Sequence, residues 1–230
     1  MSGHKAVVFD MDGVLVDSEP LFLSALNLLL VEEGAIPLSE QDNRTLIGTT
    51  VEETWRRIRE MRLLPRPLSD YLERYDRLVR QVLEREMSLQ PGVRELLHAL
   101  RDRGMMAAVA SSSLRSWVDL KLGILGLKDA FDAVLGGDEV AAGKPDPAIY
   151  LQVARRLGLR PHECIAIEDS PPGISAAVAA GMFTVAVRTA FTRGLDVSRA
   201  DIVLDSLVQF DLNLLNGSIS HKVQETSGER

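Results

Sequence analysis

Cysteine is nearly absent from this chain of 230 residues. The single thiol, Cys164, excludes an intramolecular disulfide and fits a reducing compartment. Apolar Ile165, Ala166 and Ile167 follow it, so it reads as a small buried hydrophobe rather than a nucleophile. Histidine is scarce as well. His4, His98, His162 and His221 fall in a tail, on a helix, in a loop and in a tail, which argues against a zinc site. An excess of basic charge is also missing: 26 Lys and Arg stand against 33 Asp and Glu, for a formal net charge of −7. That balance disfavours nucleic acid or an anionic membrane as partner, while a small phosphorylated substrate remains compatible because local charge sets a pocket. The longest apolar run, around Leu26 to Val31, is too short to span a bilayer. Asp10 interrupts the first apolar stretch before the hydrophobic region of a leader forms. A cytoplasmic monomer is therefore expected. Neither G-x-x-x-x-G-K-[ST] nor G-x-G-x-x-G occurs, so a P-loop or dinucleotide fold is not indicated, and there is no internal repeat.

What is present is ordinary globular composition, 46% hydrophobic and 26% charged, enough for one large domain or one domain with an insert. The most informative stretch is residues 7–20, VVFDMDGVLVDSEP. A short apolar run closed by a turn signal reads as a buried strand, from Lys5 to Asp10. Side chains two apart share a strand face, so Asp10 and Asp12 are expected to project together from its tip, with Gly13 turning the chain. Two carboxylates so close need a cation or a shared proton, although the same pattern also serves as an Asx turn or a helix N-cap.

Residues 17–87 read as helical throughout. Ser18 can N-cap a helix that Gly34 ends, Thr50 and Glu53 form a capping-box pattern, and Ser69 opens a helix with Tyr71, Leu72, Tyr75, Leu78, Val79, Val82 and Leu83 on one face. Pro91-Gly92 closes the region. From there strands alternate with helices: strands at Met105 to Ala110, Ala133 to Leu135, Cys164 to Ile167, Phe183 to Val187 and Ile202 to Leu204, with a helix beginning at Ser112 or Ser113 and others at Val93, Asp146 and Ile174. Strand–helix alternation means a parallel sheet. The expected fold is α/β, a doubly wound parallel sheet carrying an inserted α-helical cap. Residues 1–16 and 88–216 would form the core and 17–87 the cap. Residues 217–230 form a polar, aperiodic tail, expected to be mobile.

Polar clusters sit at the carboxyl ends of the strands, where α/β sheets place their sites. Asp10 and Asp12 follow the first strand, Ser111, Ser112 and Ser113 the second, Gly143-Lys144-Pro145-Asp146-Pro147 lies after the third, and Glu168-Asp169-Ser170 follows the fourth. Cap chemistry explains Ser112, Ser170 and Asp146, but not Glu168 beside Asp169 or a lysine held between Gly and Pro. Asp10, Asp12, Glu168 and Asp169 put four carboxylates at one edge, an all-oxygen set suited to Mg²⁺. With Lys144 as a cation and Ser111 as a donor, this is a kit for phosphoryl transfer through an aspartyl-phosphate.

These four motifs, in this order, resemble those of the haloacid dehalogenase superfamily of phosphatases and mutases. The D-x-D-G-V-L-V-D-S-E-P start is similar to sugar-phosphate phosphatases and to β-phosphoglucomutase-like enzymes, and the helical insert resembles that superfamily's four-helix cap. The resemblance spans residues 5–210. It implies that Asp10 is the nucleophile and Asp12 the general acid and base. It also implies that Ser111, Ser112 and Lys144 bind the phosphoryl group. Asp169, the Asp10 carboxylate and the Asp12 backbone carbonyl would hold Mg²⁺, with Glu168 in or next to its coordination shell. Asp12 further implies phosphate-ester chemistry, since the superfamily's dehalogenases lack an acid at that position. The mutases carry a His two positions after the Pro of D-S-E-P, where this chain has Phe22, and an Arg shortly after a cap Gly, where Gly48 is followed by Thr49, Thr50 and Val51. Phe22, Thr49 and Thr50 are candidate substrate contacts from the cap, with Thr50 equally readable as an N-cap. Arg56, Arg57, Arg59 and Arg62 read as a solvated helix face. A Mg²⁺-dependent phosphatase of a small phosphorylated metabolite, such as a sugar phosphate, is expected; a phosphomutase and a non-catalytic binding module are the alternatives.

Overall fold

In the computed structural model, residues 3–46, 51–190 and 192–216 are described. Strand β1 (Ala6–Phe9) is fully buried and pairs in parallel with two neighbours, β2 (Met106–Ala110) and β4 (Cys164–Glu168). With β3 (Ala133–Leu135), β5 (Phe183–Val187) and β6 (Ile202–Leu204), the sheet has the order β3-β2-β1-β4-β5-β6. The strand order reverses between β1 and β4, which opens the ligand crevice of a doubly wound sheet at their carboxyl ends.

The two faces of the sheet differ in side-chain size. Val7, Phe9, Val109, Ile165, Ile167 and Val185 line one face and pack with Val93, Leu96 and Leu100 of α5 (Val93–Asp102) and Val118 and Leu122 of α6 (Arg115–Ile124). Ala6, Ala108, Ala110, Cys164 and Ala166 line the other, under α7 (Ala148–Arg156) and the alanine-rich α8 (Pro171–Ala180). Small residues let those helices lie close to the strands, at the density that protein interiors require. Burial raises the Cys164 thiol to about 11, so it is not a nucleophile.

Helices α1 (Glu19–Glu32), α2 (Glu40–Leu46), α3 (Val51–Arg62) and α4 (Leu68–Glu86) occupy the stretch between β1 and α5. They share a separate apolar cluster in which the Trp55 ring stacks on Tyr71 at 5.5 Å and meets Tyr75 edge-on. The chain enters and leaves this unit side by side: Val16 bridges Leu89, and the Gln90 amide donates to the Leu15 carbonyl at 2.9 Å. A second contact joins α4 to α6, where the Arg80 guanidinium lies 4.8 Å from the Trp117 ring. No helix among the described residues is long and apolar enough to cross a membrane.

Several local expectations need correction. Ser18 does precede α1, but its side chain makes no cap bond. Helix α6 starts at Arg115, two or three residues later than expected, and leaves Ser112 and Ser113 in the preceding loop. Helix α4 starts at Leu68, with Pro67 rather than a serine in the cap position. The Ser18 and Ser113 hydroxyls serve the site below instead. Thr49, Thr50 and the 217–230 tail lie outside the described residues.

Candidate active site

Register builds the floor of the site. Phe9 pairs with Val109 on one side and Ile167 on the other, so one step further Asp10 stands between Ala110 and Glu168. The Asp10 amide donates to the Ile167 carbonyl at 2.9 Å. Residues 10–16 then form a compact turn, in which the amides of Leu15 and Val16 both donate to the Met11 carbonyl. Gly13 sits in that turn at φ +88°, and a Cβ there would lie 2.0 Å from Asp169 Oδ2. This position therefore requires glycine twice, for its backbone and for the room that Asp169 takes.

The strand ends at Phe9, and the two aspartates part company in the turn. Lys144 Nζ, buried, donates to Asp10 Oδ1 and to Glu168 Oε1, both at 2.5 Å, and to the Ala110 carbonyl at 2.9 Å. Asp12 faces elsewhere. Ser18 and Lys121 both donate to its Oδ1, and the Ser113 hydroxyl donates to Oδ2 at 2.9 Å. The expected pair sharing one cation is in fact two carboxylates, each with its own lysine. Likewise, of the four carboxylates expected to converge, three do: Asp10, Glu168 and Asp169 bring one oxygen each within 4.8 Å of the others. The Asp12 side chain is not part of that cluster.

Glu168 is fully buried and heavily committed. Its Oε1 accepts from Lys144 and from the Tyr150 hydroxyl at 2.6 Å, and its Oε2 accepts from the Ser170 hydroxyl at 3.1 Å and the Asp169 amide at 3.2 Å. A Cβ on Gly173 would lie 1.9 Å from Glu168 Oε1, so α8 approaches the carboxylate only through a glycine. A carboxylate offers about four acceptor sites, and these partners fill them. Glu168 thus orients Lys144 and the β4 tip.

The electrostatics of the two aspartates are opposite. Burial pushes the Asp10 carboxyl well above its ordinary value; Lys144 opposes this, and Glu168 and Asp169 add to it. Burial and Glu168 raise Asp169 to about 7. Asp12 also feels burial, but Lys121, Ser18 and Ser113 outweigh it and hold the carboxyl below its ordinary value. Burial and the nearby Glu168 and Asp10 charges push the Tyr150 hydroxyl well above its usual range, so it stays a donor. Three buried acids around a single lysine leave an excess of negative charge. An all-oxygen donor set of that charge fits a hard divalent cation such as Mg²⁺, with Asp10 and Asp169 as the side chains able to hold it.

Among the remaining expected residues, Ser111 is buried at the end of β2 and its hydroxyl accepts from the Ser113 amide at 3.1 Å. Ser112 is exposed. Phe22 lies on α1 with its ring 5.2 Å from Lys121 Nζ. Sequence reasoning missed Ser18, Ser113, Tyr150 and Lys121. The last left a signal: it falls between Val118 and Leu122 on the buried face of α6, where a lysine needs a partner.

The doubly wound fold with polar groups gathered at its strand ends is that of a hydrolase of the phosphatase class, as comparison with known proteins shows. Residues 7–187 match the model of the haloacid dehalogenase-like hydrolases, and the chain belongs to that family. It is 34% identical over 178 residues to the phosphorylated carbohydrates phosphatase of Thermotoga maritima, covering 77% of this chain and 82% of that one. The structure is similar to that of CbbY from Rhodobacter sphaeroides in complex with phosphate (TM-score 0.78, 28% identity, 94% of this chain and 99% of that one). It is also similar to β-phosphoglucomutase from Clostridium difficile (TM-score 0.69, 26% identity, 91% and 94%).

Proposed function

We propose that this chain is a Mg²⁺-dependent phosphatase that hydrolyses a small phosphorylated metabolite, a sugar phosphate, through an aspartyl-phosphate on Asp10. The observation that carries the reading is the separation of the two aspartates, each with its own lysine. Asp10 sits beside Lys144 and the acidic cluster, where a phosphoryl group would be charge-neutralised. Asp12 is held apart by its own lysine and hydroxyls, where it can handle protons.

In this reading a carboxylate oxygen of Asp10 attacks phosphorus, and the bond from phosphorus to the substrate oxygen breaks. Asp12, ionised in the free site, takes up a proton as the phosphorylated substrate binds and gives it to the departing alkoxide. Asp12, now ionised, accepts a proton from a water molecule as that water attacks the phosphorylated Asp10. Inorganic phosphate leaves and Asp10 is free again. Lys144 binds the phosphoryl oxygens along with the buried Ser111 hydroxyl, Ser112 contributing from the loop. A Mg²⁺ ion held by Asp10, Asp169 and the Asp12 carbonyl would supply further charge neutralisation of the phosphoryl group.

Residues 17–87 act as a cap hinged where Val16 meets Leu89, excluding bulk water on closure. Phe22, Thr49 and Thr50 set substrate preference. A phosphomutase is the second reading, favoured by the likeness to β-phosphoglucomutase. Phe22 opposes it, because an apolar ring cannot hold a polar gate that shields the phosphoenzyme from water. The test is incubation with β-glucose 1-phosphate, Mg²⁺ and a trace of the bisphosphate. Free phosphate as the main product is expected; glucose 6-phosphate forming much faster would overturn the phosphatase reading. Phosphate release from a panel of sugar phosphates that requires Mg²⁺ and stops with EDTA supports catalysis; no release from any of them leaves a binding module.

A further inference from the structure

We infer that Lys121, a core residue of α6, is the positioning residue of the acid–base aspartate, and that Phe22 of the cap covers it. The inference rests on the phosphatase reading and deepens it. Lys121 is fully buried in a helix face otherwise made of Val118 and Leu122. An apolar side chain would fill that place without the desolvation of an ammonium, a cost that only pairing of the charge offsets. Packing therefore does not account for a lysine here. What accounts for it is the Asp12 carboxylate at the tip of its side chain.

Counting acceptor sites shows what the lysine does. An ionised carboxylate has about four, two on each oxygen. On Asp12, Ser18 and Lys121 occupy both sites of Oδ1, and Ser113 occupies one of Oδ2. One site is left, and it is on Oδ2. Lys121 thus removes Oδ1 from the chemistry and aims a single oxygen at the proton in flight. The Phe22 ring, 5.2 Å from Nζ, lies against the ammonium from the cap side. A cap residue therefore touches the group that fixes Asp12, while Lys144, the phosphoryl-binding lysine, is anchored separately on Asp10 and Glu168.

The test compares first-turnover release of the leaving group from glucose 6-phosphate, whose alkoxide needs a proton, and from 4-nitrophenyl phosphate, whose phenolate hardly does. Steady-state KM is measured alongside. For K121M, we expect release from glucose 6-phosphate to slow about 10- to 100-fold, part of the full worth of a general acid, with KM and the 4-nitrophenyl phosphate rate changed less than about threefold. Equal slowing on both substrates, or a KM change as large as the rate change, would overturn the inference and make Lys121 a structural or substrate-binding residue. If K121M does not fold, judged by thermal melting, K121Q, whose neutral amide is one bond shorter, is expected to slow glucose 6-phosphate release selectively but less than K121M, and equal slowing on both substrates would again overturn the inference. Wild-type protein inactive on both compounds would instead remove the phosphatase reading itself.

Discussion

Asp10 and Asp12 stand two residues apart in one turn, yet the regions around them differ in charge, in polarity of partners and in the part of the fold that supplies those partners. The floor of the crevice, around Asp10, is built by the sheet: β1, β4 and the Lys144 loop concentrate three buried acids about one lysine. The flank, around Asp12, is built where the helices α1–α4 meet the sheet and its flanking helices, with Ser18 at the entry to α1, Ser113 after β2 and Lys121 on α6. On the floor, negative charge exceeds positive, and Asp10 and Asp169 are pushed up. On the flank, a lysine and two hydroxyls surround one carboxylate and the acid is held down. On the proposed reading, one motif thereby yields a nucleophile placed to meet a phosphate with its cation and a carboxylate placed to move protons.

Substitutions can separate the two regions. The largest effect is expected on the floor: Asp10→Asn should abolish turnover while leaving the far-ultraviolet circular dichroism spectrum unchanged. Phosphate release above background would place the nucleophile elsewhere. Asp12→Asn should come next, slowing turnover of sugar phosphates by about 10²- to 10⁴-fold with KM near wild type, because proton transfer is lost and ground-state binding is not. A KM change of similar size would show Asp12 to be a binding group. Lys144→Met should cut both activity and stability. It strands Asp10 and Glu168 without their buried cation, a loss on the order of 3–5 kcal/mol that urea unfolding would measure.

A smaller effect concerns pH. Asp169 rises from 3.8 to about 7 in the folded protein, and Asp10 rises too. The folded state then holds protons that the unfolded chain has released, so this contribution to stability is present at low pH and is lost as pH rises from about 4 through 7. In EDTA, Asp169→Asn should therefore gain on the wild type as pH goes from 5 to 8, and added Mg²⁺ should raise the wild-type melting temperature more at pH 8 than at pH 5. Parallel melting profiles for the two proteins in EDTA would contradict the electrostatic account of the floor. The smallest change in chemistry is expected from Phe22→Leu. It should reorder a panel of sugar phosphates by several-fold while leaving 4-nitrophenyl phosphate turnover nearly intact; an unchanged ranking would remove Phe22 from specificity.

The floor was far more legible in the sequence than the flank. Apolar runs ending in acids mark β1 and β4 as buried strands with reactive tips, and the strand–helix rhythm gives the doubly wound order that brings those tips together. Asp10, Lys144 and Asp169 could be named because each stands at a punctuated position. The flank was obscured because its members have ordinary explanations: Ser18 and Ser113 both look like helix caps, and one lysine in an amphipathic helix looks like surface. Alternation along an ideal strand also misled, since β1 stops at Phe9 and the turn, not the pleat, sets where Asp12 points. That turn is tight because Gly13 yields its side-chain space to Asp169, a tertiary constraint that no local pattern displays.

The division of labour between the two aspartates is tested most directly by trapping the intermediate. Asp12→Asn is mixed with 4-nitrophenyl phosphate and Mg²⁺, quenched in acid, and its peptides are weighed by mass spectrometry. The good leaving group needs no acid, while the missing base slows the attack of water. The account predicts one added phosphoryl group on the peptide containing Asp10 and none in the Asp10→Asn/Asp12→Asn double variant. A burst of nitrophenolate with Asp10 left unmodified, or phosphate on any other residue, would contradict it.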